Sequence, residues 1–260
     1  MRIHVTGARG FIGSQLCPVL STAGHELRTS PTGCDAVVHL ANIAHTAASA
    51  ADLHRINVEG TVAQARAALA AGVRRFVYLS SIKAVQPDDP YGRAKLAAEQ
   101  ALAGISGLEV VILRPPLVYG PGVKANFRAL MKAISRGWPL PLAGIENRRS
   151  LVYVGNLCHA IMHCLQAAQA AGRTYSVSDG VPVSTPQLCR ALGAALGRPA
   201  RLFSLPPALL ELVGGDRARR LTRSLEVDDS AIRSELGWRP PFTFEQGLRT
   251  TADWYLVQGR

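Results

Sequence analysis

Ile3-His4-Val5-Thr6-Gly7-Ala8-Arg9-Gly10-Phe11-Ile12-Gly13 decides the fold. A short β-rich apolar run leads into glycines spaced G-x-x-G-x-x-G, and a helix-forming stretch follows. Glycines at such a turn let the backbone reverse tightly and approach a pyrophosphate, whose charge then sits at the helix N-terminus. The spacing departs from the commoner G-x-G-x-x-G. Its position at the first strand-to-helix turn is what marks the glycines Gly7, Gly10 and Gly13 as a phosphate-binding turn.

Working outward, apolar runs at residues 3–6, 36–41, 76–80 and 110–114 read as buried parallel strands. Residues 11–23, 57–71 and 91–103 read as helices, with Gly24, Gly72 and Gly104 placed for left-handed caps. This alternation predicts an α/β fold, a Rossmann-like doubly wound parallel sheet covered by helices on both faces. After residue 120 the rhythm breaks at a cluster of Pro and Gly. A helix at 126–136, a strand at 150–154, a helix at 157–170 and a strand at 174–178 follow, and the Pro-punctuated tail reads as a small helical lobe. The expected domains interleave: residues 1–122 plus about 151–180 form the dinucleotide-binding part, and about 123–150 plus 181–260 a C-terminal substrate-binding lobe.

Of 260 residues, 48% are hydrophobic and 18% charged, the composition of a folded globular chain. No apolar run approaches the ~18–20 residues that span a bilayer. The first residues read as a strand entering a turn rather than a signal segment, so a cytoplasmic protein is expected. The 29 Lys+Arg against 18 Asp+Glu leave a formal charge of +11. That charge admits nucleic acid, an anionic surface or a phosphorylated small molecule. The basic residues form no long run and aromatics make up 6%, which argues against stacking platforms for single strands. The five cysteines are scattered without C-x-x-C spacing, as expected for free, buried thiols rather than a disulfide framework or zinc site.

Tyr91-Gly92-Arg93-Ala94-Lys95 opens a predicted helix, so Tyr91 and Lys95 share one face. A nearby ammonium stabilises a phenolate and lowers its pKa, allowing Tyr91 to act as acid or base. Ser80-Ser81 closes the preceding strand, at the sheet edge where doubly wound folds build their binding crevice. His39, inside a strand, reads as a satisfied core histidine. His159 and His163, four apart, lack a third ligand nearby in sequence, so no metal site is expected. Asp88-Asp89 before Pro90 belongs to a turn or a helix start.

Together these residues resemble the extended short-chain dehydrogenase/reductase superfamily, the NAD(P)-dependent nucleotide-sugar epimerases, dehydratases and reductases. Val37-Val38-His39-Leu40-Ala41, Asn57-Val58-Glu59-Gly60-Thr61, the stretch from Arg114-Pro115-Pro116 to Gly120-Pro121-Gly122, and Arg149-Ser150-Leu151-Val152-Tyr153-Val154 extend the likeness over most of the chain. Ser80-Ser81-Ile82-Lys83 and Val123-Lys124-Ala125-Asn126-Phe127 are similar to a branch of UDP-N-acetylhexosamine 4-epimerases and UDP-4-keto-6-deoxy-hexosamine 4-reductases of surface-polysaccharide sugar synthesis. The resemblance implies Tyr91 as acid/base in hydride transfer at C4, Lys95 as its electrostatic partner and ribose ligand, and Ser81 as hydrogen-bond partner of the reacting sugar oxygen. It implies Gly7, Gly10 and Gly13 with Phe11 and Ile12 at the pyrophosphate, Leu40 and Ala41 at the ribose side, Pro115 at the nicotinamide, and Asn126, Arg149 and Arg223 at the substrate diphosphate. It also implies a homodimer built from the helices at 57–71 and 91–103.

The dehydratases of the superfamily carry an Asp-Glu pair after the catalytic Ser or Thr. Here Ile82-Lys83 stand in those places, which disfavours dehydration and leaves a 4-epimerase or a 4-ketoreductase. A non-catalytic NAD(P)- or RNA-binding protein of the same fold is the competing class, and the Ser81/Tyr91/Lys95 set argues against it. Glu26-Leu27-Arg28-Thr29-Ser30 ends without the carboxylate that would accept the ribose hydroxyls of NAD. Arg28, or Arg9, would meet a 2′-phosphate instead, which tilts the choice of cofactor, NAD or NADP, towards NADP(H).

From Ser30 to Ala36 the chain is too short for the helix and third strand that the family places there. Six Cα–Cα steps reach at most ~20–22 Å, against a crossover that ordinarily needs a dozen residues or more. The second strand must be very short, or the crossover bare, or this stretch lacks residues. The interval from Ser81 to Tyr91 is short as well.

Overall fold

The computed structural model describes residues 1–43 and 49–258, the side chains at 207, 213, 216, 217 and 220 excepted. Parallel strands β1 (Arg2–Thr6), β2 (Glu26–Arg28), β3 (Ala36–His39), β4 (Arg75–Leu79), β5 (Glu109–Arg114) and, later in the chain, β8 (Thr174–Ser176) form one sheet in the order β2-β1-β3-β4-β5-β8. Strand residues point alternately to the two faces. Val37, Phe76, Tyr78, Val110 and Ile112 pack with Ala65, Ala68, Ala98 and Leu102 from helices α3 (Gly60–Ala70) and α4 (Pro90–Ala103). Val38, Val77 and Val111, on the opposite face, are buried too. Burial on both faces explains why these strands read as unbroken apolar runs. The expected Rossmann-like α/β sheet is therefore present.

The expected helix at 57–71 starts earlier. Helix α2 (Ala50–His54) runs through a π-helical turn at Arg55–Glu59 into α3. Helix α1 (Phe11–Thr22) follows the glycine turn. Gly24 and Gly72 have φ of 80° and 77°, as expected of caps. Gly104 does not: its φ of −82° keeps it right-handed, and the expected left-handed cap is corrected there.

The crossover from β2 to β3 is both bare and short. Strand β2 is three residues long. It pairs Arg28 with His4, and β3 begins with Ala36 opposite Ile3. The chain therefore has only to step over β1, ~10 Å at two strand spacings, and eight residue steps span up to ~26–29 Å. Residues 29–35 do this without helix or strand. A turn carries Cys34 N–H to the Pro31 carbonyl (3.0 Å), and Asp35 takes Arg2 N–H (2.7 Å) and its guanidinium (3.0 Å).

The chain divides into two compact units. Met1–Pro116, Leu157–Val177 and Asp228–Arg239 form the first; Leu117–Asn156, Ser178–Val227 and Pro240–Arg260 form the second. Helix α6 (Val154–Gln166) begins in the second and continues in the first. In the second unit, β6 (Leu117–Tyr119) and β7 (Leu151–Tyr153) pair in parallel, and helices α5 (Ala125–Ser135), α7 (Thr185–Ala195), α8 (Pro207–Thr222) and α10 (Phe244–Gln258) complete it. Helix α9 (Ser230–Leu236) belongs to the first unit, within the tail that the sequence assigns to the lobe. No helix among the described residues is long and apolar enough to cross a membrane.

Candidate functional site

The site builds up from the turn after β1. Gly7 has φ +71°, and a Cβ there would lie 2.8 Å from the Ala41 amide. A Cβ on Gly13 would lie 2.3 Å from the Gly7 carbonyl, so the first turn of α1 packs directly on the loop. Gly10 N–H closes the loop onto the Gly7 carbonyl (2.9 Å), and Gly10 N-caps α1 with no side-chain cap bond. The leading N–H groups of α1, at Phe11 and Ile12, are thus left to an incoming anion. A dinucleotide pyrophosphate fits this cradle.

Leu40 and Ala41 are held beside it. Thr6 Oγ1 accepts from the Ala41 amide (3.3 Å) and bonds His39 Nδ1 (2.7 Å), while His39 Nε2 meets Thr61 Oγ1 at 3.1 Å. Thr61 gives its own proton to the Asn57 carbonyl (2.8 Å), so Nε2 of His39 donates and Nδ1 accepts from Thr6. Burial pushes the His39 pKa down to about 3, with Lys95 and His4 adding to the effect. His39 is the satisfied core histidine expected. Asn57, fully buried in the π-helical turn, accepts from the Ile43 amide (2.9 Å) and donates to its carbonyl (3.0 Å). Thr6 holds the Ala41 amide and Asn57 the Ile43 backbone, contacts that sequence spacing alone does not flag.

Asp89, the expected helix-start residue, N-caps α4 by accepting from the Gly92 amide (2.7 Å) and pairs with Lys83. This sets Tyr91 in the first turn and Lys95 one turn on. Lys95 Nζ donates to the Leu79 carbonyl (2.8 Å) and lies 4.7 Å from the Tyr78 ring centroid and 5.8 Å from that of Tyr91. Burial pushes the Lys95 ammonium down to about 7, against the opposing pull of Glu99. Burial, then Asp89, pushes the Tyr91 phenol up to about 12. The expectation of a lowered phenol pKa is corrected: burial and the nearby Asp89 carboxylate both raise it. Ser81 follows β4, its Oγ accepting from the Lys83 amide (3.3 Å), and the buried Pro115 accepts from the Ile82 amide (3.0 Å). The ends of β4 and β5 and the start of α4 are thereby tied together.

Towards the expected adenosine side, Arg28 ends the edge strand β2, exposed and paired with Glu26 at 2.8 Å. Arg9 is exposed on the glycine loop and makes no ion pair among the described residues. Elsewhere in this unit, His159 accepts from Trp238 Nε1 (3.0 Å) and His163 Nε2 meets the Leu236 carbonyl (2.7 Å). The five cysteines are free thiols, Cys17 half-buried and the others buried, as expected.

The expected diphosphate residues lie in the second unit. Arg149 is half-buried, donates to the Arg223 carbonyl (2.9 Å), and has its pKa lowered by burial. Buried Asn147 also grips that carbonyl (3.2 Å). The structure thus brings Arg149 and the Arg223 backbone together, while the Arg223 side chain is exposed. Asn126 is exposed on the first turn of α5, next to Ala125, whose φ of +53° is a strained conformation for a non-glycine residue. The same helix lines a cavity of about 650 Å³ with Arg128, Lys132 and Arg136, opposite Tyr255 of α10.

Residues 28–178 match the family model described as the NAD dependent epimerase/dehydratase family. The chain is 41% identical to a UDP-glucose 4-epimerase of Vibrio cholerae over 250 residues, taking in 85% of this chain and 76% of that protein. Among solved structures it is similar to a UDP-glucuronic acid 4-epimerase from Bacillus cereus in complex with NAD (TM-score 0.82, 20% identity, 100% of both chains). It is also similar to RMD from Pseudomonas aeruginosa complexed with NADPH (TM-score 0.79, 23% identity, 99% of both chains). At these identities the two structures speak for the fold.

Proposed function

Since the chain belongs to the NAD dependent epimerase/dehydratase family, we propose that it binds NAD(P) and acts at C4 of a nucleotide-diphosphate sugar of the UDP-hexosamine type, in surface-polysaccharide sugar synthesis. The observation that carries the reading is Tyr91 and Lys95 on one face of α4, with Lys95 anchored to the strand end that leads into Ser81. Gly7, Gly10, Gly13, Phe11 and Ile12 would hold the cofactor pyrophosphate, Leu40 and Ala41 its ribose side, and Pro115 its nicotinamide. When bound, the dinucleotide supplies two-electron oxidation and reduction at the sugar carbon. Ser81 holds the C4 oxygen by its hydroxyl, and Tyr91 exchanges a proton with that oxygen. Arg149, with Asn126 and Arg223, is assigned to the substrate diphosphate, which a planar guanidinium can meet with two parallel hydrogen bonds.

The phenol pKa of about 12 keeps the Tyr91 proton in place at neutral pH. As a donor, Tyr91 would protonate a C4 carbonyl oxygen as the sugar is reduced, a step common to the 4-ketoreductase and the 4-epimerase readings. Ile82-Lys83 after Ser81 leave no acid–base pair for dehydration. The exposed Arg28 or Arg9 inclines the cofactor choice towards NADP(H). Helices α3 and α4, adjacent and rich in alanine, are the proposed homodimer face.

Incubation with UDP-GlcNAc and with its 4-keto-6-deoxy derivative, with and without NAD(P)H, tests the proposal when products are resolved by chromatography. Tyr91→Phe is expected to lower turnover at least ~100-fold. Activity that survives this change would overturn the mechanism. The rival nucleic-acid reading predicts salt-dependent retardation of RNA in a gel.

A further inference from the structure

Glu99 stands one helical turn beyond Lys95 and is 5% exposed. Its carboxylate accepts from Ser80 Oγ and from the Arg114 guanidinium, whose Nε lies 3.0 and 3.2 Å from its two oxygens. Each of these partners adjoins a residue of the proposed site: Ser80 precedes Ser81, and Arg114 precedes Pro115. The backbone bonds run the same way, Ser80 N–H to the Leu113 carbonyl (2.8 Å) and Ile82 N–H to the Pro115 carbonyl (3.0 Å). The end of β4 is therefore gripped twice by α4, through Lys95 at Leu79 and through Glu99 at Ser80. A buried carboxylate is an expensive way to fasten a helix to a sheet, because an apolar side chain would do so without desolvating a charge.

We propose that Glu99 is a positioning residue of the catalytic site, pinning Ser81 through Ser80 and supplying the counter-charge for the Lys95 ammonium. The assignment rests on the reading of Ser81, Tyr91 and Lys95 as the catalytic set. The groups facing Lys95 support it. From α4 come Tyr91 and Glu99, from β4 comes Tyr78, and from β3 comes His39. Burial keeps both phenols protonated and His39 neutral at pH 7. Glu99 is thus the acid in this group that opposes the loss of the Lys95 proton. Arg114, from β5, is tied up with Glu99.

The chain has four lysines, Lys83, Lys95, Lys124 and Lys132, so ¹³Cε-lysine labelling gives four NMR signals to follow against pH, with no substrate or turnover required. Lys95→Met assigns its signal. Glu99→Gln is expected to lower the Lys95 midpoint by about 1 unit or more. Arg114→Met, which removes a cation from the same pair, should not lower it, and Glu99→Asp should restore it. A Lys95 midpoint unmoved in Glu99→Gln, or lowered equally by Arg114→Met, would overturn the counter-charge role. If Glu99→Gln does not fold, Glu99→Asp and Arg114→Met decide on the same signal: lowering by Arg114→Met overturns the role, and its absence supports it. Ser80→Ala keeps the charge and removes the pin. It should leave the Lys95 midpoint in place and lower kcat about tenfold with KM unchanged; a wild-type kcat overturns the pinning role. A wild-type protein that shows the NMR shifts but turns over no nucleotide sugar would count against the proposed activity alone.

Discussion

At the scale of single residues, the chemistry of the site is governed by what surrounds a group more than by its type. Tyr91 and Lys95 are recognisable in sequence because four residues make one helical turn. Their proton affinities are not, because these depend on the strand ends and rings closing around them. His39 makes the same point in a testable form. Its pKa falls from the usual 6.5 to about 3 on folding, so in that window the unfolded chain binds more protons and stability rises with pH. Stability contributed by the neutral imidazole is complete above pH 6.5 and is lost as pH falls towards 3. His39→Gln removes this dependence. Urea unfolding should show the wild type losing about 1.5 kcal/mol more than the variant between pH 6.5 and pH 5. His25 and His159, also shifted down by burial, contribute equally to both proteins and cancel.

At the scale of elements, local signals placed most boundaries within a few residues. The glycine turn, the apolar runs of β3, β4 and β5, and the Asp89-Pro90 start of α4 all act through neighbours in the chain. The failures have tertiary causes. The π-helical turn before α3 exists to bury Asn57 against Ile43, a partner fourteen positions away. The Gly104 end of α4 needs no left-handed residue, because its N–H bonds back to Leu102 within a right-handed turn. Glu99 was invisible as a functional residue because a lone acid four places after a lysine reads as a helix-surface pair. The cap of α4 can be removed directly. Asp89→Ala takes away both the acceptor for Gly92 N–H and the Lys83 pair. It should cost about 1–2 kcal/mol in thermal or urea unfolding and lower turnover further than that loss accounts for, since Tyr91 lies in the turn being freed.

At the scale of the whole molecule, the shortened crossover carries the largest consequence. With β2 three residues long and residues 29–35 free of helix and strand, little chain is left to wall the adenosine half of a dinucleotide. Cofactor affinity weaker than micromolar is expected, with NADPH favoured over NADH through Arg9. Fluorescence titration of the purified chain measures both, and a submicromolar Kd would refute the open-site reading. The proposed pairing of α3 and α4 between copies predicts a dimer mass by light scattering at micromolar concentration; a monomer there would exclude it. The sequence by itself determined the alternation of strand and helix, the glycine turn after β1 and the placing of Tyr91 and Lys95 on one helical face, because periodicity, turn chemistry and helical spacing act over a few residues. Only the tertiary structure decided that burial raises the pKa of the Tyr91 phenol, that Glu99 joins Ser80 to Arg114, that the crossover closes bare over β1, and that residues 228–239 belong with the first unit. Those outcomes depend on burial and on strand register, and both are set by parts of the chain far apart in sequence.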